Sequence, residues 1–154
     1  MKGPERVQAA LAALGLAPEV VELPHSTRTA VQAAEAVGCQ VGQIAKSLVF
    51  RGEDDGSPLL VIASGSNRVD ESKVGGRFGQ KLRLAAPDFV RSSSGFAIGG
   101  VPPIGHTQPM RIMFDEDLLQ YGQIWAAAGS PFAVFPIAPD KLAEATGAEI
   151  VAVA

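Results

Sequence analysis

The sequence has a single cysteine, Cys39, among 154 residues, so no intrachain disulfide can form. A lone thiol suits a reducing compartment. Two histidines, His25 and His106, cannot build a recognisable zinc cluster with that one thiol. None of the 17 glycines is spaced as G-x-G, which excludes the dinucleotide fingerprint. There is no Gly-Lys pair and hence no P-loop. No serine sits within G-x-S-x-G, the elbow of many serine hydrolases. No stretch approaches the roughly 20 apolar residues that span a bilayer. The first residues, Met1-Lys2-Gly3-Pro4-Glu5-Arg6, lack the apolar run of a signal peptide. The expected location is the cytoplasm. A metal site built from carboxylates stays open, although Asp115-Glu116-Asp117 reads more simply as a solvated helix start.

What is present describes a folded domain. Hydrophobic residues make up 47% and charged residues 19%, neither a disordered nor a coiled-coil composition. The length fits one domain, residues 1–154, with a single substantial core. A formal charge of −3 argues against broad coating of nucleic acid. It is compatible with a local basic patch that meets only the end of an RNA.

Val7, Leu11 and Leu14 recur at helical spacing between Pro4 and Gly15 and predict a first helix. The run Glu19 to Leu23 reads as a short strand, and Thr29 as the cap of an alanine-rich helix ending near Gly38. Residues 47–51 and 59–63 form the clearest strand pair, joined by a turn containing Asp55-Gly56. Asp70 caps a short helix predicted to stop at Gly75-Gly76, and Pro87 opens another toward Ser94-Gly95. Later strands are expected at 111–114, 123–127 and 133–137, then a helix from Pro139 to Ala145 and a last strand at 149–153. Helices and strands mix without a strict βαβ rhythm. The fold class expected is α/β (mixed α+β), a single domain whose central mixed, largely antiparallel sheet is flanked by helices.

Two segments carry chemistry. Residues 95–105, Gly-Phe-Ala-Ile-Gly-Gly-Val-Pro-Pro-Ile-Gly, hold four glycines and two prolines and cannot be a regular helix. Such a stiff loop serves as a sharp turn between strands, or presents backbone N–H groups at a fixed place, as an oxyanion site requires. Lys46, in Ile44-Ala45-Lys46-Ser47-Leu48-Val49-Phe50, stands at the mouth of an apolar strand. Most lysines there snorkel to the surface; the alternative is a compact cation for a phosphate or ribose oxygen.

Taken together, these segments resemble the YbaK-like aminoacyl-tRNA deacylases, which are related to the editing domain inserted in bacterial prolyl-tRNA synthetases. The resemblance runs from about Val7 to Val153 and rests on four pieces: Ile44 to Leu48, the helix start Asp70 to Lys73, the loop Gly95 to Gly105, and Ala128-Gly129-Ser130. It implies a YbaK-like fold with a cleft, and the activity of a stand-alone deacylase that clears a small mischarged amino acid from tRNA. Lys46 falls on the family's functional lysine, which is thought to engage the terminal adenosine. Gly99, Gly100 and Val101 would offer backbone N–H groups to the ester carbonyl, with Pro102 and Pro103 completing the G-x-x-x-P loop. Ala128, Gly129 and Ser130 match a small-residue turn beside the amino-acid pocket, although the family typically starts that turn with serine or a similar small residue. No covalent enzyme intermediate is implied, and no cofactor or metal. The implied partners are the 3′ end of aminoacyl-tRNA and a possible synthetase, with no membrane and no DNA.

Other polar residues have two readings each. His106 would act as a general base or an RNA contact, or is simply an exposed histidine. His25 and Thr27 would border the pocket, with Arg28, or Thr27 belongs to the helix-cap group. Asn67 and Arg68 occupy a loop where ligand contacts often gather. Arg68, Lys73, Arg77, Lys81 and Arg83 would face the acceptor stem or form a solvated surface. Cys39 is expected to be buried and without a catalytic role. A non-catalytic module that binds aminoacyl-tRNA or a synthetase is the first rival. A different small hydrolase or nucleotide-binding protein on the same scaffold is the second.

Overall fold

The computed structural model describes residues 1–154. Pro4 lies in the first turn of α1 (Gly3–Ala13), whose Val7 and Leu11 are fully buried one helical turn apart. A two-residue strand, β1 (Val21–Glu22), follows, shorter than the run from Glu19 to Leu23. Thr29 caps α2 (Ala30–Val37) through a reciprocal box with Gln32, and Gly38 ends it in the left-handed conformation. Cys39, just beyond, is half-buried rather than fully enclosed, and that burial pushes its thiol pKa up.

The long strand β2 (Ile44–Gly52) pairs antiparallel with β3 (Pro58–Ser64) in unbroken register from Ala45↔Ser64 to Arg51↔Pro58. Every residue of β3 from Leu59 to Ser64 is buried, as expected of a central strand covered on both faces.

Helix α3 (Glu71–Phe78) does not stop at Gly75-Gly76 but runs on to Gly79, whose φ is +91°. Tertiary packing explains the difference. A Cβ at position 75 would lie 2.9 Å from the Gln80 carbonyl oxygen, so glycine is needed for the close approach. Continuing the helix also lets Phe78 pack on the core. That gain outweighs the roughly 1 kcal/mol cost of a helical glycine. Strand β4 (Leu82–Leu84), which the sequence pattern did not single out, follows before α4 (Pro87–Ser94).

The second half contributes β5 (Arg111–Asp115), β6 (Ile124–Ala127), β7 (Ala133–Ile137), α5 (Pro139–Thr146) and β8 (Glu149–Val151). A 3-10 turn, Glu116–Gln120, links β5 toward β6 and is capped by the Asp115 side chain. Asp115 is therefore not part of a solvated helix start: it is only 1% exposed.

All eight strands join one sheet, in the order β1-β7-β6-β2-β3-β5-β8, with β4 on β2. Four of the seven pairings are antiparallel. One face carries the larger core, where Val7, Leu11, Leu60, Ile62, Phe114, Phe135 and Leu142 meet. The other packs Phe50, Leu59, Val61, Met113 and Val151. No helix is long and apolar enough to cross a membrane.

Candidate functional site

The site originates in a gap in the sheet. On the side away from β3, β2 pairs with β6 only at Ile44 and Ala45, and with β4 only at Phe50 to Gly52. Between these contacts Lys46, Ser47 and Leu48 have no strand partner on that side. A cavity of about 310 Å³ opens there. Its walls include the start of α2 and the segment before it (Thr27 to Ala30), Gly99 and Val101, and Trp125 to Ala127 of β6. The lining is mostly apolar, and its titratable side chains are Lys46 and Arg28.

Lys46 is half-buried, and its Nζ donates to the Asn67 carbonyl at 2.6 Å. Burial lowers its pKa, while the negative charge of Asp115 opposes that shift. Its neighbour Ser47 also lines the cavity. The Ser47 Oγ is a buried side-chain polar atom that makes no hydrogen bond.

The 95–105 loop folds against this cavity. Gly99 has φ +97°, a conformation that favours glycine, and an added Cβ would lie 2.7 Å from Arg28 Nε. The Gly100 N–H already donates to the Ala97 carbonyl at 3.2 Å, so it is not available to a ligand. The N–H groups of Gly99 and Val101 make no hydrogen bond within the protein. Both residues line the cavity. Pro102 and Pro103 are buried behind them and do not line it.

The turn Ala128-Gly129-Ser130 buttresses the loop rather than lining the cavity. The Gly129 N–H donates to the Gly100 carbonyl at 2.9 Å, and a Cβ on Gly100 would lie 2.7 Å from the Ser130 backbone. His106 lies outside the lining as well. Its Nε2 donates to the Pro102 carbonyl at 2.7 Å, because a carbonyl can only accept. Burial lowers the His106 pKa, and the bond to Pro102 works against that. His25 is exposed and outside the cavity. Thr27 is buried in its wall, and its hydroxyl donates to the Pro131 carbonyl at 3.0 Å.

None of the basic stretch from Arg68 to Arg83 lines the cavity. Within it, Arg83 pairs with Glu53 at 3.6 Å and Arg77 with Glu149 at 3.9 Å. The sequence pattern did not single out Ser47, Ala126, Ala127 and Val134 as site residues. The one signal available for Ser47 was a polar pair, Lys46-Ser47, inside an otherwise apolar strand.

With this geometry in hand, comparison with known proteins gives a consistent answer. The model of the aminoacyl-tRNA editing domain matches residues 25–145. A solved structure described as a candidate trans-editing enzyme for prolyl-tRNA synthetase superposes with a TM-score of 0.93 at 50% identity, covering 99% of this chain and 97% of that one. An uncharacterised Bacillus subtilis protein, YwhH, is 36% identical over 82% of this chain and 80% of its own length. EbsC of Enterococcus faecalis, described as a candidate Cys-tRNA(Pro)/Cys-tRNA(Cys) deacylase, is 26% identical over 79% of this chain and 74% of its own.

Proposed function

The chain belongs to the aminoacyl-tRNA editing domain family, and we propose that it is a stand-alone deacylase that removes a small mischarged amino acid from tRNA. The observation that carries this reading is that Gly99 and Val101, whose N–H groups have no partner within the protein, line the same apolar cavity as Lys46. Fixed donors in a poorly hydrated site stabilise a developing oxyanion far better than water does.

The reaction is addition of water to the ester carbonyl, then release of the free amino acid and the tRNA hydroxyl. The ester is already activated, so positioning and charge stabilisation can supply much of the catalysis. No carboxylate, histidine or cysteine lines the cavity, so none of these is placed to act there as nucleophile or general base. A hydroxyl of the substrate would assist the water. Lys46 would orient the terminal adenosine and its ester, and Gly99 and Val101 would face the carbonyl oxygen.

The description of one solved relative as a candidate trans-editing enzyme supports action apart from the synthetase. This description and that of EbsC make tRNA(Pro) the first tRNA to test and cysteine the first amino acid, with alanine and serine as further small side chains. The cytoplasm is the proposed location. The absence of a carboxylate or histidine from the cavity lining also favours one rival, a module that binds aminoacyl-tRNA without hydrolysing it.

One assay separates the two. tRNA(Pro) charged with cysteine, alanine or serine is compared with Pro-tRNA, using the wild type and Lys46→Ala. Release of one small amino acid with Pro-tRNA spared is expected, and Lys46→Ala should lower kcat/KM by about 100- to 1,000-fold. Undiminished deacylation by Lys46→Ala removes Lys46 from the mechanism. Failure on this tRNA and on a wider charged-tRNA panel leaves the binding module.

A further inference from the structure

Lys46 is held by an assembly drawn from three separate parts of the chain. Its Nζ meets the Asn67 carbonyl in the turn that follows β3, where the Asn67 N–H donates to the Ser64 carbonyl at 3.0 Å. The Asn67 side-chain amide reaches across to the end of β5 and donates at 2.8 Å to both Asp115 Oδ2 and Asp117 Oδ2. Asp115 is buried, and it also accepts the backbone N–H groups of Ser64 and Asp117, each at 2.9 Å.

A buried carboxylate is costly unless it is paired or surrounded by donors. Asp115 has the donors, but no lysine or arginine forms a salt bridge with it. Its hydrogen bonds instead fix the turn that carries the Lys46 acceptor.

We propose that Asp115 and Asn67 are positioning residues for Lys46: the carboxylate locks the Asn67 turn, and the turn's carbonyl fixes the ammonium at the cavity wall. The Asp115 charge also favours the protonated lysine against the burial that opposes it. The other charged groups near Lys46 are Asp117, bonded to the same Asn67 amide, and Arg28, in the cavity wall. The consequence for catalysis rests on the deacylase reading, whereas the clamp itself does not.

An NMR titration of the lysine ε-CH₂ groups tests the clamp without any substrate. Lys2, Lys73, Lys81 and Lys141 serve as internal references, and Lys46→Arg identifies the signal. Asp115→Asn is expected to move the Lys46 midpoint to lower pH while the references stay fixed. An unmoved midpoint in folded Asp115→Asn overturns the proposal.

Asn67→Ala keeps the buried carboxylate and is the second arm should Asp115→Asn fail to fold. The clamp requires the two Lys46 ε protons to be inequivalent in the wild type, and in Asn67→Ala they should converge toward one averaged shift. Protons that stay inequivalent overturn the clamp. In a protein shown to deacylate, Asn67→Ala should lower kcat by about tenfold or more with KM changed by less than about threefold. An unchanged kcat overturns the positioning role. A wild type that deacylates nothing defeats only the functional reading, since both NMR arms are read without it.

Discussion

Ser47 sits beside the lysine with a buried hydroxyl that has no hydrogen-bond partner. Leaving such a group unpaired costs a folded protein about 1–3 kcal/mol. That cost can be recovered when binding shifts the cavity wall and a ligand supplies the partner. Ser47→Ala removes the unpaired group and a small volume, so its melting temperature should equal or exceed that of the wild type. Its kcat/KM for deacylation should fall by about tenfold, the loss expected for one neutral hydrogen bond. A variant of unchanged kcat/KM places no substrate atom at Ser47. Residues of this kind show how unevenly the site is written in the sequence. Lys46 and the glycines of the 95–105 loop are conspicuous because a cation in an apolar strand and a glycine-proline cluster both call for explanation. Ala126, Ala127 and Val134 are not, because a small apolar residue in a strand looks the same whether it faces a core or a cavity. Asn67 was visible only as a polar loop residue, because its partners Asp115 and Asp117 lie 48 and 50 positions away.

Elements were easier to read where their signals are local. The Thr29 cap, the Asp55-Gly56 turn and the proline-opened helices all depend on neighbours within a few residues. Long-range contacts set the rest. Helix α3 crosses Gly75-Gly76 because Phe78 has a core to reach, and β4 exists because β2 offers Phe50 to Gly52 as partners. The cavity follows from the same circumstance, since β4 and β6 share one edge of β2 without meeting. The 95–105 loop likewise depends on a distant contact at one end and a local one at the other: Gly129 bonds to Gly100, and His106 bonds to Pro102. His106 gives the loop a pH dependence whose sign can be worked out. Its folded pKa lies below the ordinary 6.5, chiefly through burial. Well above pH 6.5 both folded and unfolded chains carry it neutral, and its contribution to stability is complete. As pH falls from 6.5 the unfolded chain takes up the proton first, so stability declines toward the depressed folded pKa. His106→Gln can keep a donor to Pro102 but does not titrate. Urea denaturation from pH 7.5 to 5 should therefore show a shallower loss of stability in the variant. Parallel curves for the two proteins rule out His106 as the source.

The molecule as a whole carries a net charge of −3, which on the deacylase reading has to be reconciled with an RNA substrate. Part of its basic surface is already engaged, since Arg77 and Arg111 both pair with Glu149, and Arg83 pairs with Glu53. The cavity contributes only Lys46 and Arg28 as cations. On the deacylase reading, this charge distribution favours contact with the terminal nucleotide and its ester over a grip on a long stretch of phosphates. Counterion release turns this into a measurable quantity. Each phosphate neutralised on a single strand contributes about −0.7 to the slope of log K against log salt. Two or three contacts at the RNA end therefore give a slope of roughly −1.4 to −2.1, far shallower than that of a basic RNA-binding domain. Binding of a non-hydrolysable aminoacyl-tRNA analogue, followed across a tenfold range of salt, reads this slope directly. A value near −5 would require a broad acceptor-stem interface and would make the surface from Arg68 to Arg83 part of the binding face. A shallow slope that is steepened little by restoring length to a minimal aminoacylated 3′ end would place recognition at the cavity itself, where the unpartnered donors and the clamped lysine are.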